Sequence, residues 1–385
     1  MSPDFELSAA VGESADRLIS AQVFMSGGSA ELTSRNITKE LYEAARKVHG
    51  ESMSYLAARA LIETVKPRDT VIFCSGFFDP PSMIGEGDGP IGVALLARSL
   101  CAMLDVTPVF LTEVSHMARM EALARSVGLD FADFELARVT PFKAVMMPLP
   151  IEPARAEREA RACLDLIRPS AFIAVEKPAP CPRNRYHTGV GLDVTDVVGK
   201  VDHVVEEAKR RKILTIGVGD GGNEVGMGRI LDAILDVVPT GKVIGTPLAT
   251  DILVVGAVAN WGAYAIEACV AAALHMPEAI HSLADERRVI EAAAHNGLID
   301  PTTGIANGWV DGTPPVCSES ILELLRQMVQ LRLLRKTKHS AMNFPRRWAE
   351  RSNPDEVVAM WGRKLAEDES IHFRKVEEQR SGDGR

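Results

Sequence analysis

Six short apolar runs, each separated from the next by a stretch of helical periodicity, restrict this chain more than any other feature. The strand candidates are residues 70–75, 108–111, 144–148, 171–175, 214–218 and 251–255. Between and after them lie helix candidates at 92–104, 115–127, 153–167, 201–210, 223–237 and 261–274. Strands that alternate with helices imply a mostly parallel sheet covered on both faces. Strands read as continuous apolar runs, as doubly buried parallel strands should. The expected fold is therefore α/β, a mostly parallel sheet with helices on both faces in a Rossmann-like three-layer sandwich. It occupies residues 51–335, with two further helices expected at 284–295 and 318–334. Residues 1–50 read as an N-terminal helical extension, in which 37–49 places Leu41, Ala44 and Val48 on one face. Residues 336–385 read as a charged C-terminal tail, with Trp348, Trp361 and Phe373 as candidate anchors.

In such sheets ligands bind beyond the carboxyl ends of the strands. Four unusual loops fall at those ends. Ser75 is followed by GFFDPPSMIGEGDGP, Val175 by EKPAPCPRNRYHTG, Val218 by GDGGNEVGMG and Val255 by GAVANWGAY. Four polar or glycine-rich loops at equivalent positions predict one site. The third loop says the most. A strand that breaks into glycines ahead of a helix brings backbone N–H groups toward an anion or carboxylate. Glycine meets the need for positive φ, but the turn does not require Asp220, Asn223 and Glu224 together.

Each candidate has a chemical and a structural reading. Asp220 and Glu224 suit an acid/base pair or hard-metal ligands with Asn223 as orienting amide, or helix N-capping. Glu86 and Asp88 form a second acidic loop, or a solvated turn with Asp88 as cap. Glu176 at a strand end is costly to bury unless paired, and Lys177 is a ready partner. Arg183, Arg185, Tyr186 and His187 are candidate donors to a substrate carboxylate, although a lone histidine there is also compatible with a structural role. Asn260 is a substrate contact or an N-cap. The stretch Gly217-x-Gly219-x-x-Gly222 matches a dinucleotide fingerprint formally. It is not in the first β-α unit, however, and Asp220 would place negative charge beside a pyrophosphate, so no dinucleotide is expected.

Bulk properties narrow the partners. The formal charge is −9 across 385 residues, and no dense basic block precedes the tail, which argues against nucleic acid and anionic membrane. The six cysteines are scattered without a C-x-x-C pair, as reduced thiols are. The N-terminus lacks a secretory h-region and no apolar run is long enough to span a bilayer, so a cytoplasmic protein is expected. A small amino acid is the expected substrate, and homo-oligomerisation is left open.

At these loops the chain resembles the D-glutamate cyclase family in its catalytic C-terminal domain. The stretches that carry the resemblance occur in order: Gly76 with the Pro-rich loop and Glu86–Pro90, VEK at 175–177, GVGDGGNEVGMG at 217–228, VANWGAY at 258–264, and 291–312 ending in WVDG. Together they span roughly residues 55–335. Gly87 stands where the family has threonine. Pro180 stands where it has arginine, and Arg183-Asn184 where it has Asp-Gly, in a loop suited to substrate selection. The family's separate N-terminal partner domain has no counterpart in residues 1–50.

The resemblance implies a hydro-lyase that closes D-glutamate to 5-oxo-D-proline with loss of water. That reaction needs a base for the α-ammonium and an acid or Lewis centre at the γ-carboxylate. Asp88, Asp220 and Glu224 are the candidates for the base and for a divalent cation, Mg²⁺ or Mn²⁺, that would offset repulsion among the carboxylates. Glu86, Glu176, Lys177, Arg183, Arg185, Tyr186 and Asn260 are the candidate substrate contacts. The N–H groups of Gly221, Gly222 and Asn223 are candidate oxyanion donors. The alternatives are a small-carboxylate-binding α/β protein without cyclase activity, or a dinucleotide-dependent oxidoreductase.

Overall fold

Every expected apolar run becomes a strand of one parallel sheet. The computed structural model describes residues 2–23, 37–76, 78–79, 84–335 and 353–382. The chain forms two compact units, residues 1–330 and 331–385. The sheet lies in the first and contains β1 (Thr70–Cys74), β4 (Thr107–Thr112), β5 (Asp130–Phe131), β6 (Lys143–Pro148), β7 (Ala171–Val175), β8 (Leu214–Gly219) and β9 (Ile252–Val255). Their spatial order is β5-β6-β4-β1-β7-β8-β9, and every pairing is parallel. A two-residue hairpin, β2 (Phe78–Asp79) with β3 (Ile84–Gly85), leaves the end of β1. The edge strand β5 is too short for periodicity to reveal.

β1 is the centre of the topology. Its Ile72 is in register with Val109 of β4 on one side and Phe172 of β7 on the other. From β1 the chain builds outward to β4 and on to the edge strand β5, then sets β6 between those two. It then returns to β7 and builds the other way. The β1/β7 boundary is thus the switch point, where a crevice opens beyond the carboxyl ends of the strands.

The helices are α1 (Phe5–Ile19), α2 (Ile37–His49), α3 (Met53–Thr64), α4 (Pro90–Leu104), α5 (Val114–Ser126), α6 (Phe134–Ala137), α7 (Pro153–Ile167), α8 (Val201–Arg210), α9 (Leu231–Val237), α10 (Gly241–Ile244), α11 (Ala259–Leu274), α12 (Leu283–His295), α13 (Pro315–Arg335) and α14 (Pro354–Gly382). Local signals explain several starts. Pro90 and Pro153 take the first helical turn, where no N–H is needed, and Ser282 with Asp285 closes a capping box at α12. All of α11 is buried except Leu274. Trp261 on it is buried and donates its indole N–H to Ser318 Oγ of α13 at 2.9 Å, so the ring is packed and its polar edge is satisfied.

Two terminal expectations change. α1 is part of the first unit: Asp4 N donates to Ala273 O at 2.7 Å and Ser8 Oγ to Cys269 O at 2.8 Å, both on α11. The buried Asp16 carboxylate accepts from Met53 N at 2.7 Å and from Ser54, fastening α1 to the start of α3. The charged tail contains the helix α14, and Trp361 on it is 52% exposed rather than an anchor. Trp348 and the side chain of Phe373 lie outside the described residues, as do Phe77 and residues 80–83 of the Pro-rich loop. Among the described residues no helix is long and apolar enough to cross a membrane.

Candidate functional site

The loops beyond β1, β7, β8 and β9 meet at the switch point. Ligand atoms of Asp88, Glu176 and Asp220 all lie within 4.8 Å of one another. Each arrives by a different device. Asp88 sits in the turn before α4, and its carboxylate accepts from Ala259 N and Asn260 N at 2.8 Å each, at the positive start of α11. Asn260 reciprocates. Its Oδ1 accepts from Gly89 N at 2.9 Å and Gly92 N at 2.7 Å, and its Nδ2 donates to Gly87 O at 3.2 Å. Asn260 therefore holds the start of α4 rather than capping its own helix. Gly89 has φ 86°, and a Cβ there would fall 2.3 Å from Ser75 Oγ and 2.7 Å from Glu176 Cβ, so only glycine lets the two loops touch.

Glu176 follows the last residue of β7 with φ 47°, a left-handed conformation unfavourable for a side-chain-bearing residue and often found at functional sites. Its N–H extends the ladder to Val218 O at 3.0 Å, and its Oε2 is buried with no hydrogen-bond partner. Lys177 does not neutralise it. Fully buried, Lys177 pairs with Glu113 at 2.5 Å and donates to Gly76 O at 3.0 Å. Glu113 also accepts from Gly199 N at 2.6 Å. Burial pushes Glu113 up, but Lys177 outweighs it and holds the carboxyl below its ordinary value.

Asp220 follows β8 and is half-buried. A fourth acid, Asp311, comes from the connection between α12 and α13 and lies near enough to Asp88 and Asp220 for their charges to act on it. Burial, then Asp88, Asp220 and Glu86, push it well above the carboxylate range. Burial and like charges act the same way on Glu176 and Asp220, and burial raises Asp88. Glu86 is buried beside Ile299, with which it bridges, and is among the charges acting on Glu176. Among the described residues no lysine or arginine is ion-paired with Asp88, Glu176, Asp220 or Asp311.

The glycine-rich turn differs from the expected strand–helix junction. After Gly219 the chain turns through residues 220–226, makes a 3₁₀ turn at Met227–Ile230, and enters α9 only at Leu231. No helix begins at Asn223. Glu224 folds back into its own loop instead. Its Oε1 accepts from Gly221 N at 2.7 Å and Asp220 N at 3.3 Å, and its Oε2 from Gly222 N at 2.7 Å. The N–H groups offered as oxyanion donors at Gly221 and Gly222 are therefore taken by Glu224, which organises the turn and is absent from the converging trio. Gly222, at φ 107°, makes that turn possible. Asn223 bonds to His187 O through Nδ2 at 2.8 Å and to Ala179 N through its carbonyl at 2.8 Å, joining this loop to the one after β7.

That second loop does not supply a cationic clamp. Arg183 is exposed, and the exposed Arg185 pairs with Asp193 at 2.5 Å. Tyr186 is buried, donates its hydroxyl to Asp202, and lies under Lys200 Nζ at 5.0 Å from the ring centre. The reason is local: residues 181–195 form a turn closed on itself, with Cys181 N bonded to Arg185 O and Val194 N to Tyr186 O.

This convergence falls inside a match to a known family. The model of the D-glutamate cyclase-like, C-terminal family covers residues 26–326. The chain belongs to that family. It is also 33% identical over 96 residues to the mitochondrial D-glutamate cyclase of Homo sapiens. The matched stretch is 25% of this chain and 16% of that protein, so the chain spans only a small part of the curated relative. All four converging acids, Asp88, Glu176, Asp220 and Asp311, lie within the family region. Asp311, in the WVDG segment, is a site residue that the loops at the strand ends do not include. No strand precedes it, so reasoning from strand ends could not select it.

Proposed function

We propose that the chain cyclises D-glutamate, or a closely related amino acid, to 5-oxo-D-proline with loss of water, at the cluster of Asp88, Glu176 and Asp220. Family membership and the convergence of these carboxylates at the switch point support this reading. An anionic, largely buried cluster favours the substrate's α-ammonium by charge. Asp220, the least covered of the three, is assigned as the base that takes a proton from that ammonium. The free amine attacks the γ-carboxyl carbon, forming the C–N bond, and the C–O bond then breaks. The nitrogen gives up two protons in all, the first to Asp220 and the second as the amide forms, and the departing oxygen takes up two and leaves as water. Asp311, its carboxyl pushed well above the ordinary range by burial and the neighbouring acids, is assigned as the acid that relays them. Holding both ends of one molecule in a five-membered geometry contributes further by proximity.

The test is incubation of the purified full chain with D-glutamate and, separately, L-glutamate, followed by chiral chromatography. The expected product is 5-oxo-D-proline from the D-isomer. D-glutamate that binds without turning over would replace this reading with that of a small-carboxylate-binding protein.

A further inference from the structure

The trio of carboxylates lacks positive charge, while cyclisation brings it a substrate that carries two carboxylates of its own. Oxygen is the only donor type in the trio, with no histidine or cysteine among its members. Such a set suits a hard cation and not zinc or copper. Acid clusters alone do not make a metal site, but one atom here points to a missing partner. Glu176 is only 7% exposed, its Oε2 bonds to nothing, and its ligand atom is within 4.8 Å of those of Asp88 and Asp220. A buried carboxylate oxygen without a partner is costly. The backbone places it there at further expense, through the left-handed conformation of Glu176. Ser75 Oγ, also buried without a partner, faces the same contact across Gly89. The two Asp88 oxygens that accept N–H groups from α11 each have a second lone pair.

We propose that Asp88, Glu176 and Asp220 bind one divalent hard cation, Mg²⁺ or Mn²⁺. With three protein carboxylates the ion keeps coordination positions for water and for a substrate oxygen, as Mg²⁺ sites commonly do. Its role in the reaction rests on the cyclase reading, as the positive charge opposite the γ-carboxylate; three carboxylates around one divalent ion stay net anionic and still favour the α-ammonium, and Asp220 would hold the ion by one oxygen and take the proton on the other. Its binding does not depend on that reading.

Binding is measured on the full chain, stripped with EDTA and dialysed, by titration with MnCl₂ and the loss of the free-ion electron paramagnetic resonance signal. Wild type is expected to take up one Mn²⁺ per chain, displaceable by MgCl₂. Glu176→Gln and Asp220→Asn are each expected to bind at least about tenfold more weakly. Asp165→Asn, at an exposed carboxylate elsewhere, should bind as wild type does. Thermal melts identify the folded variants, and if Glu176→Gln does not fold, Asp220→Asn decides alone. The proposal is overturned if wild type binds no Mn²⁺ up to about a millimolar concentration, or if a folded variant keeps wild-type affinity. Turnover is scored separately on the same preparations. Mn²⁺ uptake without 5-oxoproline sinks the cyclase reading and leaves the ion site. Unchanged turnover in stripped protein that binds no Mn²⁺ sinks the ion site and leaves the cyclase reading.

Discussion

Asp220 and Glu224 are of the same chemical kind and four residues apart, yet substitution should separate them. Glu224 satisfies Gly221 N and Gly222 N with different oxygens, at 2.7 Å each. Glutamine has only one acceptor oxygen, and its amide N–H₂ would face the other donor. Glu224→Gln is therefore expected to lower stability by about 1–3 kcal/mol, the usual cost of a lost charge-assisted bond to a buried group. Asp220 makes no such backbone bond with its carboxylate and lies against other acids that repel it. Asp220→Asn relieves that repulsion, so its melt should stay within about 1 kcal/mol of wild type. Its turnover should fall roughly a hundredfold or more, if it is the base. One thermal melt and one cyclisation assay on each variant check both. An unchanged melt for Glu224→Gln would remove it as the organiser of the turn, and near-normal turnover for Asp220→Asn would remove Asp220 as the base.

At the scale of elements, α11 joins the site to a second buried network. Its first turn exchanges hydrogen bonds with the Asp88 loop, and two turns further along Glu267 meets His281 at 2.5 Å. Glu286 of α12 lies 3.4 Å from the other ring nitrogen and accepts from Tyr264 at 3.0 Å, while Ser99 of α4 donates to Glu267. Burial pulls the His281 pKa down, but Glu267 and Glu286 outweigh it and hold it up to about 9. A raised histidine contributes stability that is fully present below its unfolded value of about 6.5 and is lost as pH rises through the folded one. Chemical denaturation from pH 6 to 10 should show stability falling between about 6.5 and 9, by on the order of 3 kcal/mol for this group. His281→Gln should flatten that part of the profile. An equally steep fall in the variant would assign the pH dependence to other groups. The sheet was readable because its strands are apolar throughout, and α7 and α8 because their faces and stops agree. The expected helix over 223–237 failed for the opposite reason. Its first acids resemble a helix start, but a side chain returning to its own loop leaves no periodic trace.

At the scale of the whole molecule, legibility followed topology. Asp88, Glu176 and Asp220 could be singled out because each lies between a strand and the next helix in a parallel sheet, and the β1/β7 switch point brings those loops together. Arg183 and Arg185 are marked by residue type alone, and their own turn leaves them exposed to solvent. Asp311 enters from outside the sheet and had no such marker. The same topology predicts what is dispensable. Every strand among the described residues and all four acids lie in the unit of residues 1–330, and the family region ends at residue 326. α13 runs to Arg335 and contributes the buried Ile321, Leu322, Leu325 and Val329, so a cut must follow it. Val358, Met360, Trp361 and Leu365 of α14 are exposed, and their loss removes little buried apolar area. A chain ending at Arg335 is therefore expected to melt cooperatively, within about 1 kcal/mol of the full chain, and to turn over D-glutamate at the same rate. Calorimetry and the chiral assay on the two lengths test this. A shortened chain that melts normally but loses turnover would show that residues 336–385 take part in the chemistry. One that no longer melts cooperatively would place part of the folding energy in those residues.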